Sequence, residues 1–282
     1  MFELFQYSTF TTKLEKSTRT LFVILTKTSE QNPITIETLF ELESLFAWCT
    51  SRVEINSIYI QSANPIFSRG IQTEDLKTKN QDYLEKLQQK LAKITFSMMH
   101  LPQTVVVDLG SFAHNLALEL TLGADIRIAR SNADLRFNHA KFGLIPASGG
   151  MGFLSQLVSP SFAKKWILTG DKIKSSEQIN SGLVHDIYDE ETYFEVKEKI
   201  LRSIFEMSPV ARIQAKLGLY EAKKEECERV INNDLKIGKA TLTTQDWKME
   251  RRTDDEFMPA KSFSYAVKLS LVKSDNITPL DH

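Results

Sequence analysis

The 282-residue chain predicts an α/β protein built on a parallel sheet, followed by a helical C-terminal region. Two patterns carry that expectation. Short β-branched runs alternate with helix-periodic segments over residues 1–189, and from residue 190 to 282 the sequence is charged and helix-periodic.

Each element has a local reason. Residues 18–27, TRTLFVILTK, are apolar, β-branched and bounded by polar residues, which describes a buried strand. Next, PITIETLFELESLFAWCT places Ile36, Leu39, Phe40, Leu42, Leu45 and Phe46 on one helical stripe, opened by Pro33 and Thr35. A second strand follows at residues 55–62, INSIYIQS, and strand, helix, strand in this order is the unit of a parallel sheet. Residues 75–99 repeat apolar positions with helical spacing, and TVVVDLG at 104–110 is another buried strand. A helix over 115–122 leads into a strand at 124–129, ADIRIA. Beyond GLIPASGGMG the segments FLSQLV and SFAKKWILTG read as helices. A third helix opens at Ser175, with Gln178 completing a capping box, and LVHDIY returns as a strand.

Composition excludes several classes. Hydrophobic residues make up 42% and charged residues 25% of the chain, and the formal net charge is −1. That balance suits a globular protein with no basic surface for nucleic acid or anionic membrane. No run reaches the roughly 20 apolar residues that span a bilayer. The start, MFELFQYSTFTTKLEKS, lacks the features of a secretory signal, so a cytoplasmic location is expected. Cys49 and Cys227 have no metal-type spacing and read as free thiols, and His114, His139 and His185 are not spaced as metal ligands. Gly149, Gly150 and Gly152 read as a tight turn before a helix. A phosphate cradle is disfavoured by the absence of GxGxxG after the first strand and of a Walker Lys-Ser/Thr.

One residue is out of place. Glu119 sits inside the otherwise apolar NLALELTLGADIRIA. Residues 124–188, which follow it, resemble the crotonase (enoyl-CoA hydratase/isomerase) superfamily. Four blocks match its pattern in order and spacing: ADIRIA at 124–129, GLIPASGG at 143–150, LTG at 168–170 and INSGLV at 179–184. Weaker matches at IFSRGIQTEDL and SPVA extend the resemblance over roughly residues 18–215.

The resemblance implies a fold of repeated ββα units, assembly as a homotrimer or a dimer of trimers, and an acyl-CoA thioester substrate. It implies no metal or redox cofactor, coenzyme A entering as part of the substrate. It also implies that two main-chain N–H groups stabilise a thioester enolate. By position these belong to Ile71, after Gly70 in FSRGI, and to Leu116, in the Asn115-Leu116-Ala117 stretch where the family carries three glycines. Physics fits the second assignment, because the first N–H groups of a helix lack internal partners and favour a developing oxyanion.

Glu119 lies three residues beyond Leu116, hence on the same helix face one turn on. The resemblance makes it the proton-transfer carboxylate, half-buried among apolar groups; capping or ion pairing is the structural alternative. The family's second glutamate is replaced by His139, whose imidazole can also move protons near neutral pH. Arg69 and Lys261 are candidates for contact with the substrate or its phosphates, together with Gly70, and His114 precedes the helix. The expected activity is hydration of a 2-enoyl-CoA or migration of its double bond. Thioester hydrolysis and a non-catalytic binding or assembly role on the same fold stay open.

Overall fold

The computed structural model describes residues 6–248. β1 (Phe10–Glu15) and β2 (Thr20–Leu25) form an antiparallel hairpin. α1 (Ile36–Thr50) then crosses to β3 (Ser57–Ser62), which pairs parallel to β2. Thr35 caps α1, its hydroxyl accepting the Thr38 N–H at 3.2 Å.

The chain next repeats one unit three times: a strand of the large sheet, a short strand of a second sheet, then helix. β3 is followed by β4 (Ile66–Ser68), α2 (Thr73–Thr78) and α3 (Gln81–His100). β5 (Thr104–Asp108) is followed by β6 (Phe112–His114), α4 (Leu116–Leu120) and a 3-10 turn at Thr121–Gly123. β7 (Ile126–Arg130) is followed by β8 (Asp134–Arg136), a 3-10 turn at His139–Phe142, and α5 (Gly150–Leu157). α6 (Pro160–Thr169) and α7 (Ser175–Asn180) lead to β9 (Asp186–Tyr188). The large sheet runs β1-β2-β3-β5-β7-β9, parallel from β2 onward, and the small one runs β4-β6-β8, parallel throughout. This is the repeated ββα architecture expected from the sequence.

Alternation along the strands divides the core. Ile58, Ile60, Val105 and Val107 face the main core with α1 and α3, while Tyr59, Val106 and Ile128 face Leu201 and Ile204 of α8 (Tyr193–Glu206). α9 (Pro209–Glu221) docks through Lys216, whose buried ammonium donates to Met98 O at 2.9 Å, Gln103 O at 2.8 Å and Asp125 Oδ2 at 2.6 Å. α10 (Lys224–Leu242) packs on α3 and α5.

Four local expectations are corrected. β1 was not foreseen, because FTTKLE mixes exposed and buried positions without clean alternation, and pairing with β2 is what makes it a strand. The helix expected over 115–122 closes at Leu120 and tightens to a 3-10 turn; at Gly123 the backbone passes so close to Thr95 O that no Cβ fits. Pro33 lies outside α1, in a bridge to Gly70. The Ser175–Gln178 capping box does not form. Ser175 donates to Ser131 O at 2.6 Å, and the buried Gln178 amide donates to Ala133 O at 3.1 Å and Ile173 O at 2.9 Å.

Arg127 ties the end of the second unit to β9. It is fully buried, Nε donating to Leu183 O at 2.7 Å and Nη1 to Ala124 O at 2.7 Å and Thr121 O at 3.1 Å. Burial lowers its pKa to about 10, so it stays charged at neutral pH. Arg127→Met orphans the Leu183 and Ala124 carbonyls and leaves Thr121 O with the Ala124 N–H alone, and urea unfolding is expected to show a loss of about 3 kcal/mol at unchanged slope. A loss under about 1 kcal/mol would mean that these bonds do not hold the unit.

Candidate active site

The small sheet places the carboxyl ends of β4, β6 and β8 side by side, and the site is built from the three residues pairs that follow them. At the last residue of β4, the Ser68 hydroxyl donates to Asn32 O at 2.5 Å and accepts the Gly70 N–H at 3.0 Å, turning the chain so that Ile71 presents its own N–H. After β6 comes Asn115, then Leu116 at the start of α4. After β8 come Asn138 and His139.

Two main-chain donors meet at one point. Ile71 N–H and Leu116 N–H both donate to Asn115 Oδ1, at 2.7 Å and 2.8 Å. Asn115 Nδ2 donates to Asn138 Oδ1 at 3.2 Å and to Arg69 O at 3.4 Å, so the amide links all three strand ends. Asn115 is 2% exposed and has φ 38° and ψ −116°. That backbone lies outside the regions common for L residues, and such a conformation costs about 1–3 kcal/mol unless surrounding contacts enforce it. Gly70, at φ +80°, has no Cβ because one would overlap the Asn115 amide oxygen and the His114 carbonyl. Clearance for the donor pair is therefore what Gly70 contributes. α4 is only 5 residues long, so aligned N–H geometry rather than a long helix dipole defines this pair.

Glu119 is fully buried, not half-buried as expected from the sequence. Its Oε1 accepts Ser148 N–H at 2.6 Å and Gly150 N–H at 3.1 Å, and its Oε2 lies 3.1 Å from His139 Nε2. A Cβ on Gly150 would collide with this carboxylate, which explains the glycine at the start of α5. His139 is 1% exposed, and its Nδ1 has no hydrogen-bond partner among the described residues. With Nε2–H donated to Glu119, Nδ1 keeps a free lone pair.

Ile71, Leu116, Glu119 and His139 are thus brought to one buried cluster. Arg69 is not: its guanidinium turns to the start of α2, donating to Thr73 Oγ1 at 3.4 Å. His114 closes β6, its Nε2 3.3 Å from Asp134 Oδ1, with burial lowering its pKa against the pull of that carboxylate. Lys261 lies outside the described residues.

Two members of the cluster escaped the sequence reading. Asn115 carried a signal, since asparagine is among the non-glycine residues that tolerate positive φ and stands where glycine is the family's choice. Asp234 carried none. It reaches from α10 to accept Met151 N–H at 3.1 Å and Gly152 N–H at 3.2 Å, next to the two N–H groups held by Glu119. Burial raises its pKa to about 6, the Glu119 charge adds to that rise, and the two N–H donors oppose it.

A carboxyl whose folded pKa exceeds its unfolded value, about 3.9, binds its proton more tightly in the folded state, so stability falls as pH rises from about 4 to 6. Asp234→Asn removes this dependence. Between pH 5 and pH 8 the variant should gain about 1–2 kcal/mol over the parent in paired urea titrations. An unchanged difference at the two pH values would contradict the raised pKa of Asp234.

The enoyl-CoA hydratase/isomerase family model matches residues 16–261. A short-chain-enoyl-CoA hydratase of Clostridium acetobutylicum is 26% identical over 199 residues, covering 70% of this chain and 76% of the relative. A crotonyl-CoA hydratase of Syntrophomonas wolfei is 24% identical, covering 83% of this chain and 91% of the relative. Among solved structures, an enoyl-CoA hydratase from Bacillus halodurans superposes with a TM-score of 0.79 at 21% identity, over 86% of this chain and 98% of that one. The family match spans the large sheet from β2 onward, the small sheet, the three strand ends and the C-terminal helices: the chain belongs to the enoyl-CoA hydratase/isomerase family and is an acyl-CoA thioester enzyme of hydratase/isomerase type.

Proposed function

We propose that the enzyme hydrates a 2-enoyl-CoA, or shifts its double bond, through a thioester enolate held by the N–H groups of Ile71 and Leu116. The observation that carries this reading is the convergence of those two donors on a single carbonyl oxygen, that of the Asn115 amide. A thioester oxygen taking its place meets the same donors, which strengthen their hold as negative charge develops on it. Coenzyme A enters as part of the substrate, and the reaction calls on no further cofactor.

The proton chemistry belongs to Glu119 and His139 as a pair. With Nε2–H as the donor to the carboxylate, all three neighbours of Glu119 donate to it, whereas His139 Nδ1 keeps a lone pair with no partner among the described residues. His139 therefore exchanges the proton, and Glu119 fixes the ring and stabilises its charged form. In hydration, water adds its oxygen at the β-carbon, one water proton passes to the imidazole, and that proton is returned to the α-carbon as the enolate collapses to the thioester. In isomerisation the imidazole removes a proton at one end of the allylic system and returns it at the other.

An apolar cavity of about 800 Å³ lies among Leu122, Gly123, Phe153 and Leu157, and neither the donor pair nor Glu119 and His139 lines it. Exposed apolar side chains at Leu168, Phe194, Val210 and Leu219 support assembly from several copies. Light scattering should then return three or six times the 32.2 kDa of one chain; a monomer would remove the assembly from the proposal.

Loss of the crotonyl-CoA enone absorbance tests the chemistry. His139→Ala and Glu119→Gln should each lower kcat by about 10²–10⁴ while butyryl-CoA binding stays within about threefold. Parental kcat in His139→Ala would return the proton transfer to Glu119 alone. No turnover by the parent with any enoyl-CoA from crotonyl to hexadecenoyl would overturn the reading.

A further inference from the structure

We infer that Asn115 is an internal competitor for the substrate carbonyl and sets which thioesters the site admits. This rests on Ile71 and Leu116 being the oxyanion donors, and goes beyond it.

The Asn115 carbonyl is an acceptor of the same kind as a thioester carbonyl, and it takes both donors at 2.7 Å and 2.8 Å. Its amide nitrogen is also satisfied, by Asn138 Oδ1 and Arg69 O. The side chain is buried, and the backbone beneath it is held at φ 38°. Nothing about this arrangement resembles a surface side chain resting in a gap. Clearance at Gly70, the positive-φ backbone at Asn115 and the Asn138 acceptor all converge on placing one amide oxygen between two N–H groups.

A thioester cannot reach those donors until the amide leaves. Its apparent affinity is lowered by the fraction of molecules in which the amide is out. Ligand groups that do not touch the donors, the nucleotide and the thioether sulfur among them, feel no such competition. The internal amide thus acts on the carbonyl alone. Thioesters with weak anchoring elsewhere are refused, and those with strong anchoring displace it.

The test compares butyryl-CoA, a saturated thioester, with S-butyl-CoA, a thioether of the same length that has no carbonyl, by titration calorimetry. Asn115→Gly removes the amide and suits the backbone conformation. It should tighten butyryl-CoA at least about tenfold and leave S-butyl-CoA within about twofold, with the crotonyl-CoA KM falling in parallel. Asn115→Asp keeps the shape and places a charged acceptor on the donors. It should weaken butyryl-CoA at least about tenfold with S-butyl-CoA again unmoved.

Equal shifts for the two ligands, or none for butyryl-CoA in either variant, would overturn the competitor. If Asn115→Gly does not fold, parental butyryl-CoA affinity in Asn115→Asp is sufficient to overturn it. A different failure is reserved for the site itself: S-butyl-CoA bound as tightly as butyryl-CoA by the parent and by Asn115→Gly alike means that no carbonyl is recognised at these donors.

Discussion

The site depends on a requirement of buried backbone: main-chain N–H groups taken out of water need acceptors. Ile71 and Leu116 are both nearly inaccessible, and their N–H groups point to one place rather than into a helix or sheet ladder. Where three glycines stand at this turn, the protein supplies no side chain to meet that need. Here Asn115 supplies one. Its amide completes four hydrogen bonds to groups following β4, β6 and β8, so one side chain holds three parallel strand ends in register beyond their last ladder bonds.

A second set of donors is arranged around the turn into α5. Ser148 and Gly150 give their N–H groups to Glu119; Met151 and Gly152 give theirs to Asp234. Two carboxylates thus share one short stretch of backbone, and the raised pKa of Asp234 follows from burial beside the other charge. Gly152 is required for a separate reason, since a Cβ there would overlap Val230 of α10. The C-terminal helices are therefore part of the site's electrostatics and of its packing, even though none of the proposed reacting groups lies on them.

Much of this was legible in the sequence, and unevenly. TLFVIL and TVVVD announce buried strands because β-branched runs have few other uses. β4, β6 and β8 are three residues each, too short for any periodicity to show, yet they align the site. Ile71, Leu116, Glu119 and His139 stand out by motif position, and because two of them enter through their backbone, the leucine at 116 still presents its N–H. Asp234 was invisible for a plainer reason: its partners are more than 80 residues away, and nothing local marks an aspartate on an amphipathic helix as buried.

An occupied donor pair and membership of an enzyme family are compatible, and the reason is energetic. Displacing the Asn115 amide is completed before any bond in the substrate changes. The free energy it takes is therefore added equally to the bound substrate and to the transition state, which is the definition of a uniform binding effect. Such a term raises KM and leaves kcat untouched. Once the amide is out, the same two N–H groups face an oxygen whose charge grows along the reaction, and their contribution to the barrier is that of an unoccupied site. An internal carbonyl thus limits how often the site opens, while the chemistry available to an admitted thioester stays whole.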